Sequence, residues 1–347
     1  METIRVGGHA YSDPDVISLI RATGSLVDPR SAVIHQARTL NARFRSFDSA
    51  STSPFERIKI MASFRGLDVK PMILEKDEKE RRDAVLIPSG KVRGRKGQIF
   101  YNPSRLLGRI VFSIAHEISH TFFPSTTNGA RFRNQCGSNS REANELERLC
   151  DLAASELVMP LDEFRREVGH TYSLDSLPRL CDRFGSSYEA TLFRLASAHP
   201  AVAAAGLLRY RRRKSEEQAR IARANQLYLG DFREQGDGVP EPKYRLQSFH
   251  SSTACGEKFK VRWNKSFDER SCVYAAGHSF TVCTAVEELP NMSGETGSLE
   301  AVRAPFQRDE ASPEFPDVLF FWLRTDPLLR WRVASPSAHT GVRLNDG

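Results

Sequence analysis

The chain has 347 residues, a formal net charge of +7 and a sequence pI near 9.2, with 40% hydrophobic and 27% charged residues, enough for two or three packed cores. No apolar run is long enough to span a membrane, and the start METIRVGGHAYSDPD lacks the basic-then-apolar layout of a signal peptide, so a cytoplasmic location is expected. The six cysteines, Cys136, Cys150, Cys181, Cys255, Cys272 and Cys283, contain no CxxC pair, which argues against a disulfide framework or a zinc ribbon.

Residues 1 to 28 show no strong periodicity and are expected to form an N-terminal arm. From Pro29, RSAVIHQARTLNARF carries Ala32, Val33, Ile34, Ala37, Leu40 and Phe44 at helical spacing, and the Ser-rich SFDSASTSP ends it. A second helix is predicted from Pro54 to Phe64, stopped by Gly66 and followed by an extended DVKPMI. AVLIP and QIFYN then read as two short strands about a basic turn that holds Lys91, Arg93, Arg95 and Lys96. An extended substrate can add to the edge of such a small sheet, and the basic turn would either steer an acidic partner or simply be solvated.

The next stretch, RLLGRIVFSIAHEISHTFF, carries the densest chemistry. Leu106, Leu107, Ile110, Val111, Ile114, Ala115 and Ile118 recur at helical spacing after a predicted start at Asn102-Pro103-Ser104, and Pro124 closes the run. On that helix His116 and His120 share a face, close enough for both imidazoles to hold one metal ion, with Glu117 over its open side. Two histidines and a glutamate on a buried helix cost stability unless they have partners, and a metal ion such as zinc would supply them.

After a polar loop that contains Cys136, Ser140 is placed to cap the helix REANELERLCDLAASELVMP. Leu146, Leu149, Cys150, Ala153, Ala154 and Leu157 form its buried stripe, and Pro160 stops it. A carboxylate on this helix would complete a His-His site, and Asp151 would be suited to accept the outer N–H of a liganding histidine. Spacing leaves Glu142, Glu145, Glu147 and Glu156 open as that carboxylate. Cys136 could reach the open metal position and inhibit it, or be an ordinary loop thiol.

RIVFSIAHEISH followed by ELERLCDLAASELVMP resembles the ImmA/IrrE family of zinc metallopeptidases, and the likeness extends over roughly residues 30 to 198. The resemblance implies Zn2+ held by His116, His120 and Glu147, with Glu117 as the catalytic carboxylate and Asp151 hydrogen-bonded to a liganding histidine. It implies cleavage of a helix-turn-helix repressor that controls DNA-damage, mobile-element or phage-defence genes. Cys150 and Asp151 stand where many relatives have Ala-Asn, and Val158 where Leu is common. The implied fold class is α+β: a zincin-like metallopeptidase domain over 29–170, helix-turn-helix-like helices over 171–199, then a mixed α+β GAF-like domain over 200–330, with a tail over 331–347. A contrasting expectation is a catalytically silent zinc-binding regulator that binds nucleic acid or sequesters its partner.

Two helices are predicted about Gly185-Ser186-Ser187. Arg194 and His199 offer little to DNA beside Glu189 and the apolar Leu192, Phe193 and Leu195, so packing is the expected role. Beyond Pro200 the strand-like runs are AAAGLLRYRRRK, KYRLQSF, KFKVRW, SCVYAAG, SFTVCTAVEEL, SLEAVRAPF and DVLFFWLR, with one helix near SEEQARIARANQLYL. The basic run Arg209, Arg211, Arg212, Arg213 and Lys214, and Lys258, Lys260, Arg262, Trp263 and Lys265, suit either single-stranded DNA as an activating partner or solvated strand edges.

Overall fold

The computed structural model describes residues 2–24, 28–47, 52–73, 83–88, 97–124, 141–227, 240–255, 265–290, 296–306 and 315–324. Three helix starts near the N-terminus share one device, a capping side chain followed by proline: α1 (Pro14–Ala22) after Asp13, α2 (Pro29–Arg45) after Asp28 and α3 (Pro54–Phe64) after Ser53. Each cap accepts a backbone N–H of the first turn, and proline sits where no donor is needed; such a cap stabilises a helix by about 1 kcal/mol. Asp13 was visible in the sequence, as was the run Val16, Ile17, Leu19 and Ile20 that α1 buries. Residues expected to be an arm therefore form a hairpin, β1 (Ile4–Val6) and β2 (His9–Tyr11), and then a packed helix. Gly7 and Gly8 supply the positive φ, 58° and 80°, that its two-residue turn demands.

The chain divides into two compact units, Met1–Arg194 and Leu195–Gly347. In the first, β3 (Leu67–Pro71), β4 (Ala84–Pro88) and β5 (Gly97–Tyr101) form a sheet of order β3-β5-β4, with β3 parallel and β4 antiparallel to β5. β4 is thus an edge. Its entry is clamped to the start of α4 (Leu107–His120) because Asp83 accepts a hydrogen bond from Arg109 Nε, at 2.6 Å, and forms an ion pair with Arg105, at 2.9 Å. The helix begins later than Asn102-Pro103-Ser104 suggests. Asn102 Oδ1 instead accepts the Ser104 N–H at 3.1 Å and the Ser104 hydroxyl at 2.7 Å, a local turn that competes with helix.

α4 is buried almost all round from Ile110 to His120, as a helix inside a core must be. It packs on α5 (Arg141–Val158), whose buried stripe is the one its periodicity predicts: Leu146, Leu149, Cys150, Ala153, Ala154 and Leu157. After Pro160 the chain re-enters helix at once as α6 (Leu161–Val168), then α7 (Leu177–Phe184) and α8 (Tyr188–Ala198). Gly185 closes α7 at φ +59°, and a Cβ there would lie 2.6 Å from Pro54 Cβ, so both conformation and space require glycine. Arg194, the cation of α8 that raised the question of DNA contact, is buried and ion-paired with Glu156. Packing, not groove reading, is its role.

The second unit is an antiparallel sheet of order β7-β6-β10-β9-β8, built from β6 (Ala203–Arg211), β7 (Lys243–Ser251), β8 (Cys283–Glu288), β9 (Thr296–Arg303) and β10 (Val318–Arg324). α9 (Lys214–Leu227) follows β6 where the sequence predicts a helix. SCVYAAG, expected as a strand, is instead α10 (Cys272–Gly277). Ser271 caps it by accepting the Val273 N–H, and its apolar residues Val273 and Ala276 bury against Leu299 and Phe320 of the sheet, so tertiary packing overrides strand propensity. KFKVRW and the residues after Arg324 lie outside the described residues.

Close packing makes one testable demand on this sheet. A Cβ on Gly297 would lie 2.3 Å from Trp322 Cε2 and 2.5 Å from the Leu323 carbonyl oxygen. Gly297→Ala is therefore expected to destabilise the chain by about 1–3 kcal/mol, read from its chemical denaturation midpoint. An unchanged midpoint would mean that the indole can move aside without loss.

Candidate metal centre

Two helices build the site. α4 presents His116 and His120, one turn apart, with ring centroids 5.0 Å apart. α5 presents Glu147, Cys150 and Asp151, which share one of its faces by the i, i+3, i+4 rule. His116 is fully buried, Glu117 is 4% exposed and His120 is 7% exposed, so all three need partners inside the protein.

Each imidazole uses both nitrogens toward α5. His116 Nδ1 lies 2.8 Å from Asp151 Oδ1 while its Nε2 lies 3.0 Å from Glu147 Oε2. His120 Nδ1 lies 3.5 Å from Cys150 Sγ while its Nε2 lies 3.8 Å from Glu147 Oε1. Glu117 belongs to another contact: its Oε2 accepts the Leu86 N–H of the edge strand β4 at 3.0 Å. The sequence places a strand near the motif, but that bond and the Asp83 clamp were not readable from it, since neither has a periodic signature.

Two donor sets share the histidines. Ligand atoms of His116, His120 and Cys150 lie within 4.8 Å of one another. Glu147 offers the other set, with its carboxylate facing both Nε2 atoms at 3.0 and 3.8 Å. Zinc with bonds near 2.1 Å to tetrahedral N and O donors sets those donors about 3.4 Å apart, a separation that the 3.0 and 3.8 Å Nε2–carboxylate distances bracket. The residues present therefore suit a borderline-soft divalent cation.

Two of the other carboxylates left open by spacing are engaged elsewhere. Glu145 Oε2 accepts the Ser12 N–H at 3.2 Å, and Glu156, 3% exposed, pairs with Arg38 at 3.0 Å and with Arg194. The Glu142 side chain and Cys136 lie outside the described residues, as do the basic turn residues Lys91, Arg93, Arg95 and Lys96.

The basic run of β6 is largely turned to internal partners. Arg209, 7% exposed, reaches Asp317 at 3.2 and 3.4 Å. Arg211 donates to the Leu246 carbonyl at 2.9 Å, Arg212 to the Pro240 carbonyl at 3.1 Å, and Arg213 lies 3.5 Å from Glu216. Lys214 opens α9 and is exposed.

Residues 69–196 match the Peptidase_M78 family model, described as an IrrE N-terminal-like domain. That match supports the ImmA/IrrE family for this segment and with it a metallopeptidase class of domain. Among solved structures the chain is similar to a Mycobacterium tuberculosis transcriptional regulator, at 13% identity and a TM-score of 0.50, over 89% of this chain and 80% of that one. At that identity the likeness is one of fold. No curated protein matches. Among the described residues no helix is long and apolar enough to cross a membrane.

Proposed function

We propose that this chain is a zinc-dependent endopeptidase that cuts a helix-turn-helix transcriptional repressor. The observation that carries the reading is the convergence of His116 Nε2 and His120 Nε2 on the Glu147 carboxylate, at 3.0 and 3.8 Å, beside a Glu117 held by an edge strand. His116, His120 and Glu147 would hold the ion. Glu147 is favoured over Cys150 because the sulfur stands at the Nδ1 edge of His120, across the ring from the nitrogen that faces Glu147. Bound zinc would supply a Lewis acid that polarises the scissile carbonyl and acidifies water.

The chain's own groups do the rest. Asp151 accepts the Nδ1–H of His116 and so aims Nε2 at the centre. Glu117 takes the proton of the attacking water and returns it to the departing amine nitrogen. The Leu86 amide keeps that carboxylate beside β4, whose open edge would align an extended peptide by main-chain hydrogen bonds. A segment of a repressor able to unfold locally into a strand would suit this edge.

Control would reside in the Leu195–Gly347 unit as a GAF-like sensor, a reading supported by its five-stranded antiparallel sheet with α10 on one face. Stimulation by single-stranded DNA would fall to Arg212, Arg213 and Lys214, since Arg209 is buried. Inhibition by Cys136, whose thiolate would take the open metal position, is the accompanying proposal.

The test mixes the purified full chain, loaded with zinc, with the helix-turn-helix protein encoded beside it, with and without single-stranded DNA. A single cut that a chelator abolishes is expected. Bound zinc with no cut under any condition would replace this reading with that of a silent regulator that sequesters its partner.

A further inference from the structure

The two imidazoles are braced differently. His116 has a carboxylate at its outer nitrogen, Asp151 Oδ1 at 2.8 Å; His120 has a sulfur, Cys150 Sγ at 3.5 Å. We propose that Cys150 is the positioning residue of His120, its Sγ accepting the Nδ1–H and so turning Nε2 toward Glu147. This rests on the reading of the site as a metal centre.

Three observations carry it. Cys150 is fully buried, so its sulfur meets protein groups and not water. It lies beside Ala153 and Ala154, also fully buried, where small residues let α5 approach α4 closely enough for a short side chain to reach the ring. The sulfur and Glu147 occupy opposite edges of the same imidazole, at 3.5 Å from Nδ1 and 3.8 Å from Nε2, so an Nδ1–H given to the sulfur leaves the Nε2 lone pair directed toward Glu147. Asp151 and Glu147 hold His116 in the same way, so one face of α5 orients both rings.

A thiol sulfur is a weaker acceptor than a carboxylate. His120 is consequently the less firmly held of the two histidines, and the loss of its brace would be felt first as weaker metal binding.

The experiment uses the full chain and Co2+ as probe. In the metal-free protein, ring 15N shifts of His120 are expected to show the Nδ1–H tautomer, and Cys150→Ala to mix the two tautomers. Cys150→Ala should weaken Co2+ binding, measured against a chromophoric chelator, by about 10- to 100-fold, with Cys150→Ser recovering part of the loss. Wild-type affinity and an unmixed tautomer in Cys150→Ala would overturn the proposal while leaving the metal centre intact. A sulfur-to-cobalt charge-transfer band that vanishes in Cys150→Ser would also overturn it, by making Cys150 a ligand. If His116→Ala binds Co2+ as well as the wild type, the metal centre fails, and Cys150 has no ligand to position. Circular dichroism checks each fold; should Cys150→Ala not fold, the serine variant and the wild-type tautomer decide.

Discussion

Glu117→Gln is expected to keep its metal and to lose cleavage by about a hundred- to ten-thousand-fold, the usual contribution of a positioned general acid–base group. Glutamine has the shape of glutamate, and its amide oxygen can still accept the Leu86 N–H that Glu117 accepts at 3.0 Å. The side chain therefore stays in place, while a neutral amide cannot take a proton from water. His116, His120 and Glu147 are untouched, so zinc content measured on the purified variant should equal that of the wild type. A variant that cuts the repressor within a few-fold of the wild-type rate would remove Glu117 from the mechanism. One that loses its zinc would show instead that Glu117 supports the ligand geometry. The two readouts thus separate chemistry from metal binding.

Asp317→Ala is expected to destabilise the chain by about 3–5 kcal/mol, among the largest effects a single side chain can have. Asp317 is 1% exposed, and its carboxylate receives Arg209 Nε at 3.2 Å and Nη2 at 3.4 Å. It immediately precedes β10, and Val318 pairs with Leu208, the neighbour of Arg209, so the ion pair ties β6 to the central strand β10. Removing the carboxylate leaves a guanidinium buried in the sheet without its counter-charge, whereas removing both charges does not. The double variant Arg209→Met/Asp317→Leu should accordingly recover most of the loss. Urea denaturation followed by far-ultraviolet circular dichroism measures both. A loss below about 1 kcal/mol would place the pair with surface salt bridges. The same experiment guards the nucleic-acid proposal, because a neutralised Arg209 that weakens DNA binding would do so through unfolding.

Much of the candidate site was legible because its information is local. The spacing of His116, Glu117 and His120 needs only a helix, and the apolar positions from Ile110 to Ile118 provide one. The buried stripe of α5 and the strands β3, β4 and β5 follow from equally local patterns. The misreadings have the same origin. Residues 14–22 read as part of an arm although Asp13-Pro14 and the run Val16, Ile17, Leu19 and Ile20 carry a helix signal, because nine residues span too few turns to show a clear period. SCVYAAG has the apolar, β-branched and aromatic content of a strand over too few residues to betray its period.

By itself the sequence determined that this chain has a histidine pair at metal-ligand spacing on a buried helix, a second helix rich in carboxylates, and a mixed α+β second half. Only the tertiary structure decided which groups those side chains meet. It set Glu147 against both Nε2 atoms, turned Glu156 to Arg38 and Arg194, brought Leu86 to Glu117, and gave His120 a sulfur where His116 has a carboxylate. The physical reason is that periodicity reports which face of an element is buried but says nothing of what lies opposite. The partners of buried polar groups are distant in the chain, 31 residues for Leu86 and Glu117 and 108 for Arg209 and Asp317, and only packing brings them together.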